Sequence, residues 1–162
     1  MKERRANLVH TDGMRFEART GTGRALVFGE QPELHEHSPV EIVAAAVAAC
    51  SGMDVAAILG KKRQVLESYE IEVVATQRDE YPQVLTTIDI VHVVSGPEVT
   101  EEAVRRCVEL SATKYCPVNA MLSAGATAVH HRYRVRNTSA APFEAEGEVV
   151  VTGPGKFPEV VP

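Results

Sequence analysis

The chain has 162 residues, 44% hydrophobic and 24% charged, with 17 Lys and Arg against 22 Asp and Glu for a formal net charge of −5. That composition suits one globular domain and excludes intrinsic disorder for most of the length, and the acidic balance weighs against a free-standing nucleic-acid binder. Trp is absent and aromatics are 5%, so the core rests on Val, Ala, Leu and Ile, and exposed base-stacking platforms are not expected.

In chain order, three short strand-like runs come first: Arg5 to His10, Met14 to Arg19 and Arg24 to Phe28. The punctuation Asp12-Gly13 and Gly21-Thr22-Gly23 between them suits an antiparallel meander. Glu30 to His37 is polar, carries Pro32 and reads as a loop. Ser38-Pro39-Val40-Glu41 then has the form of a helix start, with a Ser cap, Pro at the first helical position and Glu closing a capping box. The helix should end near Gly60, with Lys61, Lys62 and Arg63 at its negative end. Its body, Ile42 to Leu59, is apolar nearly all round, which predicts a centrally buried helix. It is Ala-rich and interrupted by Ser51, Gly52 and Asp54, which argues against a membrane span.

Tyr69 to Val73 alternates in polarity, and Val84 to Val94 places Ile88, Ile90 and His92 on one face. With the turn Asp79-Glu80-Tyr81-Pro82 between them, these form a hairpin. Thr100 to Ser111 reads as a helix capped by Thr100, with Val104, Cys107, Val108 and Ser111 on one face. A short helix follows from Pro117 to about Ala124, then a core strand from Thr127 to Val135. The order predicts an α+β fold over residues 1–136. Residues 137–162 read as a C-terminal extension in which Glu146 to Thr152 could add one strand.

The N-terminus has basic residues but no apolar stretch behind them, so it is not read as a secretory signal. Three cysteines, Cys50, Cys107 and Cys116, make a disulfide framework unexpected and leave either thiol chemistry or inert buried thiols. Cys107 lies on an apolar stripe and reads as packing. Cys50 sits among small residues, which suits a buried thiol or a close approach by substrate. Cys116 precedes Pro117 and so caps a helix, where amide dipoles favour the thiolate. His35 and His37 are spaced for a loop and have no third ligand placed by spacing. His130 and His131 point to opposite faces of a strand and cannot chelate together. No nucleophile elbow, zincin, P-loop or dinucleotide fingerprint is present.

Two segments together resemble the OsmC/Ohr family. Ser38 to Val55, with Cys50 inside it, is similar to the family's first signature, and Lys114-Tyr115-Cys116-Pro117-Val118-Asn119-Ala120-Met121-Leu122 to its second. Gly13 to Phe16 and Asp79 to Pro82 also fit, and the likeness covers roughly residues 5–135. It implies an α+β intertwined homodimer with active sites at the subunit interface, a partner that would also cover the apolar helix. It implies a thiol-dependent peroxidase that reduces organic hydroperoxides in oxidative-stress defence. Cys50 would become a sulfenic acid, Cys116 would close a Cys50–Cys116 disulfide, and a lipoyl-type or small dithiol would reopen it. No metal or organic cofactor is called for, no nucleic acid or membrane partner is expected, and a cytoplasmic location is expected.

The family's hydroperoxidases also use an Arg from the N-terminal strands and a Glu directly after the helix-start Pro. Arg15 is taken as that Arg, with Arg19 and Arg24 as alternatives. Here Val40 follows Pro39 and the acid comes one place later, at Glu41, a displacement of about 100° on a helix. This departure resembles the OsmC-like branch. It also opens a second reading, a non-catalytic ligand-binding or redox-sensing protein of the same fold.

Overall fold

A computed structural model describes residues 2–154. The chain divides into two compact units at Val43/Ala44. The expected α+β class is what the structure shows.

In the first unit, β1 (Ala6–Asp12), β2 (Arg15–Thr20) and β3 (Ala25–Phe28) form an antiparallel sheet in the order β1-β2-β3. The turn between β1 and β2 uses Gly13 at φ 48°, a conformation glycine takes without steric cost. A short 3₁₀ turn, Pro32–Leu34, precedes the start of α1, whose first turn carries Glu41.

Helix α1, Pro39–Lys61, leads into the second unit. There β4 (Ser68–Gln77), β5 (Leu85–Gly96), β6 (Ala128–Asn137) and β7 (Phe143–Thr152) form one sheet in chain order. The pairs β4–β5 and β6–β7 are antiparallel. The pair β5–β6 is parallel, and a parallel pair needs a long crossover. That crossover contains α2 (Glu101–Leu110), a π-helical turn (Ser111–Tyr115) and α3 (Pro117–Ser123). The predicted Thr100 cap is present: its hydroxyl accepts the Ala103 amide at 3.2 Å.

The period-2 alternation of β5 and β6 puts Ile88, Ile90, His92 and Val94, and Val129, His131, Tyr133 and Val135, on the buried face. Val55 and Leu59 of α1 join Val94, Val99, Val104, Cys107, Val108 and Val135 in the core. Each such side chain contributes roughly 1.5–3 kcal/mol through burial. Cys107 is fully buried there, as its place on the apolar stripe predicted.

The strand expected over Glu146–Thr152 begins earlier, at Phe143. On the exposed face Arg132, Arg134 and Arg136 of β6 stand opposite Glu148, Glu146 and Glu144 of β7. Each exposed pair adds little stability, but the three together reward only one register.

One expectation is corrected. Helix α1 is long and apolar enough to cross a membrane, yet in the single chain it is not covered all round. Val47, Val55 and Leu59 are fully buried. Ala45, Ala46, Ala49, Met53, Ala56 and Ala57 are exposed, and Met53 keeps 75% of its surface in solvent. A sheet packs against one face of a helix, so a helix apolar on every side needs a further cover.

Candidate active site

The second unit brings two cysteines together from elements 66 residues apart. Cys50 lies in the middle of α1, half-buried, and Cys116 is the buried N-cap of α3. The Sγ atoms of Cys50 and Cys116 and a carboxylate oxygen of Asp54 all lie within 4.8 Å of one another. Asp54 follows Cys50 by four residues on α1, the spacing that stacks two side chains on one helix face. All three thiols are free.

Local sequence explains how Cys116 is held. The π-helical turn ends α2 irregularly, and Pro117 restarts the chain as α3 with Cys116 in the capping position. The Asn119 amide donates to Cys116 Sγ at 3.3 Å. The capping geometry is as predicted, but the predicted gain in thiolate character is not. Burial raises the Cys116 pKa first, and a hydrogen bond with Cys50 adds to it. The Asn119 and Val118 amides offset only part of this. Cys116 is therefore held as the protonated thiol.

Two buried polar networks brace the site. In the first, Tyr69 Oη lies 2.6 Å from His92 Nδ1, and His92 Nε2 lies 3.2 Å from Ser51 Oγ. Ser111 Oγ lies 3.1 Å from Ser51 Oγ and 3.0 Å from Asp54 Oδ2. A hydroxyl has one proton, so this chain has two self-consistent arrangements. With Asp54 ionised, Ser111 donates to it and every donor behind points toward the carboxylate. With Asp54 protonated, the directions reverse toward Tyr69. Burial lowers the His92 pKa to about 4, so its ring is neutral, and burial raises Tyr69 far above its ordinary value.

The second network centres on Asn119. Its Nδ2 donates to the Ala112 carbonyl at 2.8 Å, while its Oδ1 accepts from Thr152 Oγ1 at 3.0 Å and lies 3.1 Å from His131 Nε2. Asn119 is thus locked from α2's end, from β6 and from β7, and its backbone amide is locked with it. His131 is fully buried, its Nδ1 has no partner, and its pKa falls to about 3, mainly by burial.

In the first unit, Arg15 Nε lies 3.2 Å from Oε1 of Glu36, whose side chain is 3% exposed. The other Glu36 oxygen accepts the Gln31 amide at 3.0 Å. Gly29 permits this: a Cβ there would fall 1.9 Å from Glu36 Oε2. Glu41 is exposed in the first turn of α1, and His35 and His37 are exposed in the loop before it.

Sequence reasoning passed over Asp54, Ser51, Ser111, Tyr69 and Asn119 as site groups, and Glu36 as the partner of Arg15. The spacing of Cys50 and Asp54 was a usable signal. The others were not, since each meets its partner only through the sheet and the crossover.

The structure is thus an α+β protein with a close pair of thiols beside a carboxylate. Comparison with known proteins adds the family. The model of the family "OsmC-like protein" matches residues 32–132, and the chain belongs to the OsmC-like family. Protein YhfA of Escherichia coli strain K12 is 33% identical over 130 residues, covering 80% of this chain and 96% of that protein. A hypothetical protein of Aquifex aeolicus superposes with a TM-score of 0.74 at 29% identity, covering 83% of this chain and 97% of that one. An organic hydroperoxide resistance protein OsmC of Legionella pneumophila shares the fold, with a TM-score of 0.60 at 15% identity over 80% of this chain and 94% of that one.

Proposed function

We propose that the protein is a thiol-dependent reductase of organic hydroperoxides, with Cys50 as the attacking thiol and Cys116 as the resolving thiol. The convergence of both sulfurs and the Asp54 carboxylate within 4.8 Å carries this reading. The arrangement separates the two roles: Cys50 is the more exposed sulfur, and Cys116 is buried and kept protonated.

Asp54 serves as the site's acid and base. It takes the Cys50 proton as sulfur attacks the distal peroxide oxygen. The O–O bond breaks, and the same proton passes from Asp54 to the departing alkoxide. Cys50 thiol and hydroperoxide thereby become Cys50 sulfenic acid and alcohol. Cys116 sulfur then attacks the sulfenic sulfur, and its proton leaves with the hydroxyl as water. A dithiol reductant, lipoyl-type or small, opens the Cys50–Cys116 disulfide by exchange. Ser111 orients the Asp54 carboxylate throughout. Arg15, paired with Glu36, and Glu41 keep in this proposal the catalytic cation and acid roles that the family resemblance implies.

The working unit in this proposal is a homodimer in a reducing cytoplasm. The exposed apolar face of α1, from Ala45 to Ala57, supports a partner copy, because a continuous apolar helix face is an association surface. The odd number of cysteines, three, suits a reducing compartment.

The test is steady-state consumption of cumene hydroperoxide and of hydrogen peroxide with reduced lipoamide or dithiothreitol. Wild type should turn over, prefer the organic peroxide, and lose all turnover in Cys50→Ser. Asp54→Asn should lower kcat/KM by about 10²–10⁴-fold, the range of general acid–base catalysis, and Asp54→Glu should restore part of it. Turnover by wild type no faster than by Cys50→Ser overturns the proposal and leaves a non-catalytic member of the family.

A further inference from the structure

The trio that carries the proposed chemistry has a second chemical identity. Two thiols and one carboxylate, each offering one ligand atom, lie within 4.8 Å of one another. Tetrahedral zinc binds thiolate at about 2.3 Å and carboxylate at about 2.0–2.2 Å, which sets neighbouring ligand atoms roughly 3.5–4 Å apart. The separations in the structure, at most 4.8 Å, exceed that spacing by about 1 Å. We infer that reduced Cys50, Asp54 and Cys116 form a binding site for a thiophilic divalent cation, zinc in the first instance, with a water molecule as fourth ligand.

Three features of the structure go beyond the coincidence of ligands. The supporting shell is already in place. Ser111 donates to Asp54 Oδ2 at 3.0 Å, and the Asn119 amide donates to Cys116 Sγ at 3.3 Å. Such outer contacts fix ligand orientation and account for 10–100-fold in affinity at known sites. The ligands also come from rigid elements. Cys50 and Asp54 are one turn apart on a 23-residue helix, and Cys116 is locked at a helix cap. Finally, Cys50 and Asp54 are half-buried rather than sealed, which leaves an approach for the ion and for the fourth ligand.

The ligand set also selects the metal. Two sulfurs and a carboxylate exclude magnesium and calcium, which take all-oxygen sites. They suit zinc and its heavier congener cadmium better than copper(I), which favours sulfur alone. Two thiolates and one carboxylate carry three negative charges, so the bound dication leaves a net charge of −1. Binding releases the thiol protons and therefore tightens as pH rises. Coordination commits one sulfur lone pair to the metal and lowers the charge on the thiolate, and the ion occupies the approach to Cys50. On the proposed function, zinc should therefore slow peroxide reduction. Metal binding itself does not rest on that function.

The experiment is direct titration of the reduced, intact protein, kept reduced with a phosphine in metal-free buffer. Zinc is followed by calorimetry and cadmium by its sulfur-to-metal charge-transfer absorption. The expected result is one ion per chain and a charge-transfer intensity of two thiolates. Binding should weaken at least 100-fold in Cys50→Ser and in Cys116→Ser, and at least 10-fold in Asp54→Asn and in Ser111→Ala. Thermal unfolding of each variant shows that it is folded. Zinc should also slow alkylation of Cys50 by iodoacetamide at least 10-fold, a readout independent of turnover. Unchanged affinity in the Cys50→Ser and Cys116→Ser variants, or a one-thiolate spectrum, overturns the inference by placing the ion elsewhere. No saturable binding overturns it outright. Neither result bears on peroxide turnover, so failure here is distinguishable from failure of the proposed function.

Discussion

Acid should unfold this protein through two histidines that brace the site. His92 and His131 are fully buried on the inner face of β5 and β6. Their folded pKa values are lowered to about 4 and about 3, in each case mainly by burial, from an ordinary value of 6.5. Both folded values are depressed, so below pH 6.5 the unfolded chain binds two protons that the folded chain does not. Stability is complete above about pH 6.5 and falls as pH drops toward the folded values. Two protons correspond to about 3 kcal/mol lost per pH unit. Over one and a half units that is about 4 kcal/mol, a large share of the 5–15 kcal/mol typical of a domain.

The loss should not be gradual in its structural consequence. A second proton on His131 lands on Nδ1, which has no partner. A proton on His92 disturbs the contacts to Ser51 and Tyr69. The assay is urea unfolding between about pH 7.5 and about pH 5, a window that ends above the range where carboxylates such as Glu148 titrate. His131→Gln keeps a donor toward Asn119 and removes one titrating group, so it should halve the slope. Stability that is flat across this window, or a slope unchanged in His131→Gln, refutes the reasoning.

Three other outcomes are expected. Cys116→Ser should let Cys50 sulfenic acid persist after one equivalent of cumene hydroperoxide, trapped by dimedone and seen by mass spectrometry; a trapping yield equal to wild type counts against Cys116 as the resolving thiol. Met53→Glu places a charge on the exposed apolar face of α1 and should convert a dimer to monomers in sedimentation equilibrium without lowering monomer stability; an unaltered dimer excludes that face as the interface. Gly96→Ala should cost about 3 kcal/mol or more, because its Cβ would lie 2.1 Å from the Val65 carbonyl oxygen and 3.1 Å from Leu66 Cα, backbone atoms with little freedom to retreat. Gly52→Ala should cost less, since its Cβ meets the flexible tip of Ile71 at 2.3 Å; equal losses in urea unfolding would show that the nature of the neighbour does not decide the cost.

Local pattern was enough for most of the elements. Pro39 opens α1, Thr100 caps α2, and the alternation of Ile88, Ile90 and His92 reports the inward face of β5, because caps and periodicity act within a few residues. The two cysteine-bearing segments were legible in the same way, as short motifs. The start of β7 at Phe143 was readable in principle from Glu144, Glu146 and Glu148 matching Arg132, Arg134 and Arg136, but a charge ladder is recognisable only once its two strands are set side by side.

The candidate site itself depends on tertiary structure. Asp54 stood in the sequence as an interruption of an apolar helix. It becomes the carboxylate of the thiol pair only because the crossover through α2 and α3 returns Cys116 to it from 66 residues away. Cys116 shows the same limit from the other side. Its helix-cap position predicted a thiolate, and burial reversed the sign, because desolvation is set by neighbours that sequence proximity does not supply. Sequence alone determined which residues can do thiol chemistry and where helices and strands begin. The parallel pairing of β5 with β6, through its crossover, decided that Cys116 meets Cys50 and Asp54, and burial decided that Cys116 keeps its proton.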